Sequence, residues 1–264
     1  MSVLARLAIA TLIALSIALL ARRARALSPD GAVAATIVGM LALLAGWKWA
    51  AVLILYFGTS SALSRFGADR KSVRTTSVIE KGGERDAMQV LANGAVFAIA
   101  AALAVLVPEH ATHWVAVGIG ALAASASDTW ATEIGTLVGG SPRSILSFAQ
   151  VATGMSGGVT VAGSIAALAG AAFVALAASA LAWPTRVAVA AFVAGVVGST
   201  LDSLLGATLQ LRRRCDRCDC ATERDMHDCG TTTRFVGGVR WLDNDVVNLV
   251  CSAVGGLMAL AITG

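Results

Sequence analysis

The chain has 264 residues, 57% of them hydrophobic and only 14% charged, with a mean hydropathy of +0.77. An average soluble domain carries roughly 25% charged residues, so this composition excludes an ordinary globular domain and indicates a membrane-embedded one. The formal net charge of +4 comes without an aromatic-interleaved basic stripe, so no nucleic-acid partner is expected and the lipid bilayer is.

A membrane-crossing helix needs about 20 predominantly apolar residues. Eight stretches meet or approach that length: 2–20, 30–46, 48–65, 86–106, 114–138, 158–182, 186–210 and 243–262. The expected fold is all-α, a polytopic bundle of about eight transmembrane helices. No linker or low-complexity tract divides it, so 1–264 reads as one integral membrane domain. Arg22, Arg23 and Arg25 follow the first stretch, the reverse of a secretory signal with its leading basic region, so that helix is expected to be retained. The second and third stretches are short and separated only by Trp47-Lys48, which predicts a tight hairpin or a re-entrant segment.

With eight spans, segments 21–29, 66–85, 139–157 and 211–242 fall on one side. Counting Arg65 at a helix edge, they hold all of the 20 Lys and Arg except Arg6, Lys48 and Arg186. Cytoplasmic loops concentrate Lys and Arg. That side is therefore expected to be cytoplasmic and both termini outside, in the cell inner membrane if the source is bacterial.

Polar residues inside spans are costly and mark sites by default. In the fourth span Arg85, Gln89 and Asn93 recur at i, i+4 and i+8 on one helix face. The fifth carries Asp128 and Glu133, five apart and so about 140° apart in direction on an ideal helix; only a broken helix would bring both onto one ion. The sixth is preceded by Ser156-Gly157-Gly158, a glycine-rich approach that offers backbone N–H groups to phosphate if a helix starts there, and is a mere turn otherwise. The seventh carries Asp202 with no basic neighbour in its span, so an ion or a group from another helix must compensate it. The eighth opens Asp243-Asn244-Asp245, with Asn248 one turn on; Asp243 reads equally well as a helix cap, whereas Asn244 and Asn248 form a second polar face. At about 1.5 Å per residue, Asn248 lies roughly 8 Å, Asn93 roughly 10 Å, and Asp128 and Asp202 roughly 12–15 Å in from the same side. Acids, amides and the glycine-rich segment thus share one half of the bundle. That donor set suits phosphate chemistry with Mg²⁺, which takes one or two carboxylates plus phosphate oxygens, with Arg74, Arg85 and Arg143 as anion ligands.

Segment 211–242, between the seventh and eighth spans, holds Cys215, Cys218, Cys220, His227 and Cys229. Cysteines in a reducing compartment stay unpaired, and a Cys-x₂-Cys pair with His-x-Cys offers four ligands for tetrahedral zinc. The expected set is Cys215, Cys218, His227 and Cys229, with Cys220 in reserve; free or redox-active thiols are the alternative.

Several strings are specific in combination: Gln89-Val90-Leu91-Ala92-Asn93-Gly94, Ala126-Ser127-Asp128-Thr129-Trp130-Ala131-Thr132-Glu133-Ile134-Gly135, Ser156-Gly157-Gly158-Val159, Leu201-Asp202-Ser203-Leu204-Leu205-Gly206 and Asn244-Asp245-Val246-Val247-Asn248. Together they resemble the family called domain of unknown function 92, the transmembrane-protein-19-like family, from about residue 25 to the end. That family includes a plant phytyl-phosphate kinase. The resemblance implies a kinase that converts a phytyl- or prenyl-type monophosphate to its diphosphate with an NTP. A weaker similarity to polyprenol kinases and CTP-dependent lipid cytidylyltransferases suggests CTP. On this reading Asp128 and Asp202 hold Mg²⁺; Asn93 and Glu133 complete the catalytic group; and Arg74, Arg85, Gln89, Arg143, Ser156, Gly157, Gly158, Asn244, Asp245 and Asn248 bind substrate or nucleotide. A transporter, or a non-catalytic scaffold with a zinc loop, are the rival readings; no protein partner is implied.

Overall fold

The computed structural model describes residues 2–75, 78 and 83–264. Lys81, one of the basic residues counted above, lies outside the described residues. The chain runs α1 (Val3–Arg23), α2 (Pro29–Ala45), α3 (Trp47–Arg65), a short α4 (Ala68–Thr75), α5 (Ala87–Leu106), α6 (Ala111–Val138), β1 (Arg143–Ser144), β2 (Gly158–Val159), α7 (Val161–Ala180), α8 (Thr185–Thr208), β3 (Arg212–Cys215), β4 (Cys220–Thr222), β5 (Arg234–Gly237) and α9 (Asn244–Thr263). Each of the eight apolar stretches holds a long helix. Five of these, α1, α5, α7, α8 and α9, are long and apolar enough to cross a membrane. The 17-residue α2 falls short in length, and α3 and α6 carry more polar residues.

The expectation of an all-α chain is corrected by five short strands. β1 pairs with β2, and β3 forms the centre of an antiparallel sheet ordered β4-β3-β5. Both sheets lie in connections between helices, where no continuous helix satisfies the backbone and hairpin pairing does so instead. The break between α2 and α3 falls at Gly46 rather than at Trp47-Lys48. Its φ of +124° belongs to the region that favours glycine, so the two helices turn within one residue.

α6 is the central post, packed against α5, α7, α8 and α9. Its stretch Val115–Ser127 is buried throughout. Lipid tails are as apolar as side chains, so helix association relies on close packing of small residues. A Cβ on Gly120 would fall 2.5 Å from the Ala259 Cβ on α9, and one on Gly198 of α8 would fall 2.5 Å from the Ala124 Cβ. Asp128 and Glu133 follow this buried stretch on the same helix and are half-buried; charged residues within a span are tolerated where they face the bundle interior. α1, α2 and α5 form a second closely packed group, and α3 stands off from it, touching α2, α6 and α7 only lightly.

The four segments expected on one side do lie at one end, tied by hydrogen bonds between them. The amide N–H of Ser28 donates to Arg85 O (3.0 Å) and that of Glu223 to Val78 O (3.0 Å); Ser156 joins them through Glu223, as described below. At the opposite end Lys48 donates to Ala182 O.

Candidate functional site

A cavity of about 1320 Å³ opens among α2, α3, α5, α6, α7, α8 and α9. Its polar half gathers Arg85 from just before α5, Gln89 and Asn93 from α5, Asp128 and Glu133 from α6, Asp202 from α8, Asn244, Asp245 and Asn248 from α9, and Ser156, Gly157 and Gly158. Twelve of the fourteen residues expected at the intramembrane site therefore line one space.

Asp128 and Asp202 interact across the α6–α8 contact, with Cys251 beside Asp202. The Asp202 Oδ2 atom is buried and has no hydrogen-bond partner. Two facing carboxyls repel unless a proton or a cation lies between them, and a buried unpaired oxygen carries its full desolvation cost. Both atoms are hard oxygen donors of the kind that suit Mg²⁺. Among the described residues no third carboxylate joins them into a closed metal cluster, so an ion here would draw its remaining ligands from amides, water or a phosphate.

Glu133 lines the same cavity but stands apart from this pair. α6 is unbroken from Ala111 to Val138, so Glu133 projects well away from Asp128. It pairs with Lys71 Nζ (2.5 Å) and accepts from Ser64 Oγ (2.5 Å), while Lys71 also donates to the carbonyls of Leu63 and Ser64 (both 2.7 Å). This part-buried pair holds the short α4 against α3 and α6. Lys71 reads in the sequence as one more solvated charge of a basic loop; nothing local marks it, because its partner is 62 residues away.

Gln89 is partly committed to a cap. Asp86 accepts from the Gln89 amide (2.9 Å), and Gln89 Oε1 accepts from the Asp86 amide (3.2 Å), a reciprocal box that starts α5. Asn93 lines the cavity, and its Nδ2 donates to Gln89 O (3.0 Å) one turn back on the same helix. Asp243 caps α9 by accepting from Val246 N.

Ser156-Gly157-Gly158 does not open a helix. α7 starts at Val161 and is capped by Thr160, whose hydroxyl accepts from Gly163 N. The glycines serve close approach instead: Gly157 has φ +78°, and its Cβ would fall 2.5 Å from Ala207 N, while a Cβ on Gly206 would fall 2.8 Å from Gly157 N. Ser156 donates both its amide (3.1 Å) and its hydroxyl (2.5 Å) to Glu223 Oε1, and Gln210 Nε2 donates to the Ser156 hydroxyl (2.8 Å). Glu223, absent from the sequence reading, thus links the strand-bearing segment 211–242 to the cavity wall.

Arg74 and Arg143 lie off the cavity. Arg74 Nη1 donates to Thr136 O (2.9 Å) and Leu137 O (3.0 Å), closing the C-terminus of α6, and Arg143 Nη1 donates to Phe148 O (2.8 Å). Both are occupied by backbone carbonyls, of a helix end and of a connecting loop, a use that sequence cannot separate from anion binding. Arg85 does face the cavity, over the Phe57 ring and near Ser64 Oγ.

Outside the helices, Cys215, Cys218, His227 and Cys229 bring their ligand atoms within 4.8 Å of one another, and could hold a metal ion. The β3–β4 hairpin supplies the first two and the turn before β5 the others. The Cys215–Cys229 Sγ separation is 3.5 Å, close to the ~3.8 Å edge of a tetrahedron with metal–sulfur bonds of about 2.3 Å. Thr231 and His227 hold the Cys229 thiol down at about 5, and the facing Cys229 and Cys215 push Cys218 up to about 11. Crowded thiols without a cation cannot all release their protons. Cys220 approaches His227 Nε2 at 3.4 Å.

Comparison with known proteins completes the picture. No solved structure matches the chain. Protein PGR of Arabidopsis thaliana is 32% identical over 269 residues, which cover 93% of this chain and 92% of that protein. An uncharacterized membrane protein of Methanocaldococcus jannaschii is 28% identical, covering 99% of this chain and 96% of its own length. One from a Synechocystis strain is 27% identical, with 89% and 82% covered. The family model described as Integral membrane protein DUF92 matches residues 12–256, and the chain belongs to that family.

Proposed function

We propose that the protein is a membrane-embedded kinase that transfers a phosphoryl group from an NTP, CTP by preference, to a prenyl-type monophosphate. The observation that carries this reading is the facing pair Asp128 and Asp202, with a buried unpartnered oxygen on Asp202, inside a cavity that also holds Arg85, Asn93, Asn244 and Asn248. A cavity of about 1320 Å³ exceeds the ~300–1,000 Å³ typical of a single small ligand, as two substrates require. The family resemblance points to the same chemistry.

In the reaction, a terminal oxygen of the lipid monophosphate attacks the γ-phosphorus of the nucleotide. The bond from that phosphorus to the β–γ bridging oxygen breaks, and the nucleoside diphosphate leaves. Asp128 and Asp202 are the residues that would hold Mg²⁺, whose charge would offset that of the phosphates. Catalysis of this kind rests on positioning and electrostatics. Arg85 supplies positive charge at the cavity wall, and the amides of Asn93, Asn244 and Asn248 orient phosphate oxygens. Lys71–Glu133 keeps its charges to itself and fixes the wall. The site faces the basic end of the bundle, which the Lys and Arg bias assigns to the cytoplasm, where nucleotide is found. Eight crossings with both termini outside fit this arrangement.

The cysteine–histidine cluster is a structural zinc site in this account, holding segment 211–242 against the mouth of the cavity. The unbroken course of α6 and α8 through Asp128 and Asp202 distinguishes the bundle from transporters built on interrupted helices. The test is direct: purified protein, Mg²⁺, each NTP and prenyl monophosphates of several lengths, with product read by mass spectrometry. Diphosphate formation is expected from the wild type and not from Asp128→Asn. Uptake of substrate into proteoliposomes without nucleotide would instead establish a transporter.

A further inference from the structure

The cavity does not end at its polar half. It continues between α1–α2 and the stand-off helix α3, where Ile17, Gly39 and Leu43 line one wall and Leu53, Ile54 and Phe57 the other. This arm carries no charged group between Ala35 and Leu43 on α2. Those nine residues span about 12 Å along the helix, close to the ~15 Å depth of one leaflet of a ~30 Å hydrocarbon layer. Arg85 stands at the junction, its guanidinium 5.7 Å from the centre of the Phe57 ring. One end of the space thus offers a cation and amides, and the other a leaflet-deep apolar slot.

We propose that this slot between α1–α2 and α3 binds the single apolar chain of a lipid monophosphate, which reaches the site sideways from the bilayer with its phosphate at Arg85. The kinase reading supplies the fate of that phosphate, but binding in the slot stands without it. α3 is the movable wall, since α1, α2 and α5 are packed closely and α3 touches its neighbours lightly. Ile17 and Ile54 are half-exposed, so each accepts a larger side chain without displacing a core.

The experiment uses the full chain in nanodiscs of neutral phospholipid and measures binding of a long-chain alkyl monophosphate, a short-chain alkyl monophosphate and inorganic phosphate. Variants Ile17→Trp and Ile54→Trp fill the slot from opposite walls. Leu176→Trp, on an exposed face of α7 away from the cavity, is the control. Expected is a loss of tenfold or more in long-chain affinity for either slot variant, with short-chain binding and thermal midpoint unchanged, and no change for Leu176→Trp. Equal long-chain binding by all variants overturns the proposal, as does competition by phosphatidic acid or neutral phospholipid equal to that of the single-chain phosphate, which would make the slot ordinary lipid contact. Intact slot-dependent binding with no diphosphate product would reject the kinase and keep the slot.

Discussion

At the scale of single residues, three charged groups at one end of the bundle behave differently. Glu133 is satisfied by Lys71 and Ser64, Arg74 by two carbonyls, and Asp202 by nothing on one of its oxygens. Removing one partner of a buried pair strands the other, typically at about 3–5 kcal/mol. Lys71→Met is therefore expected to lower the thermal midpoint sharply, and Lys71→Met with Glu133→Gln to recover much of it; a thermal melt in detergent checks both. Asp202→Asn should do the opposite, leaving the midpoint equal or higher while abolishing activity, because it removes an uncompensated oxygen. The sequence marked Asp128, Asp202, Asn93 and Asn248 because polar groups at those depths have no cheap explanation. It could not mark Lys71 or Glu223, whose roles depend on partners 62 and 67 residues away.

At the scale of elements, helices were legible because apolar length is a local property, and all eight long helices fall in the expected stretches. Boundaries decided by capping were not. Ser156-Gly157-Gly158 looks like a helix start, yet Thr160 caps α7 and the glycines admit α8 at backbone distance. Gly206→Val should force the segment off α8, at a cost of about 1–3 kcal/mol for overpacking, and lower activity further than stability; turnover measured beside the melting midpoint separates the two. The strands were missed because two- to four-residue pairings leave no periodicity to read, although the Cys and His spacing did identify the turn they frame.

At the scale of the whole molecule, connecting segments from across the chain meet at one end and close over the acids. Glu223 is the link between the cysteine–histidine segment and the cavity wall, through Ser156. Chelation of bound metal, or Cys215→Ser, is expected to reduce kinase activity and to release segment 211–242 to protease, with the helical bundle still folded by circular dichroism. Glu223→Gln should lose activity without losing metal, which elemental analysis would establish. Labelling of cysteines introduced at residue 2 and residue 264 from outside intact cells checks the proposed orientation, with both expected to react.

Asp128 and Asp202 form the centre of the proposed phosphoryl-transfer site. The measurement that bears on it most directly is mass spectrometry of prenyl monophosphates incubated with purified protein, Mg²⁺ and each of the four NTPs. The expected result is a diphosphate product from the wild type that falls on the order of 100-fold or more in Asp128→Asn. No product above the Asp128→Asn control, across every nucleotide and several chain lengths, would contradict it.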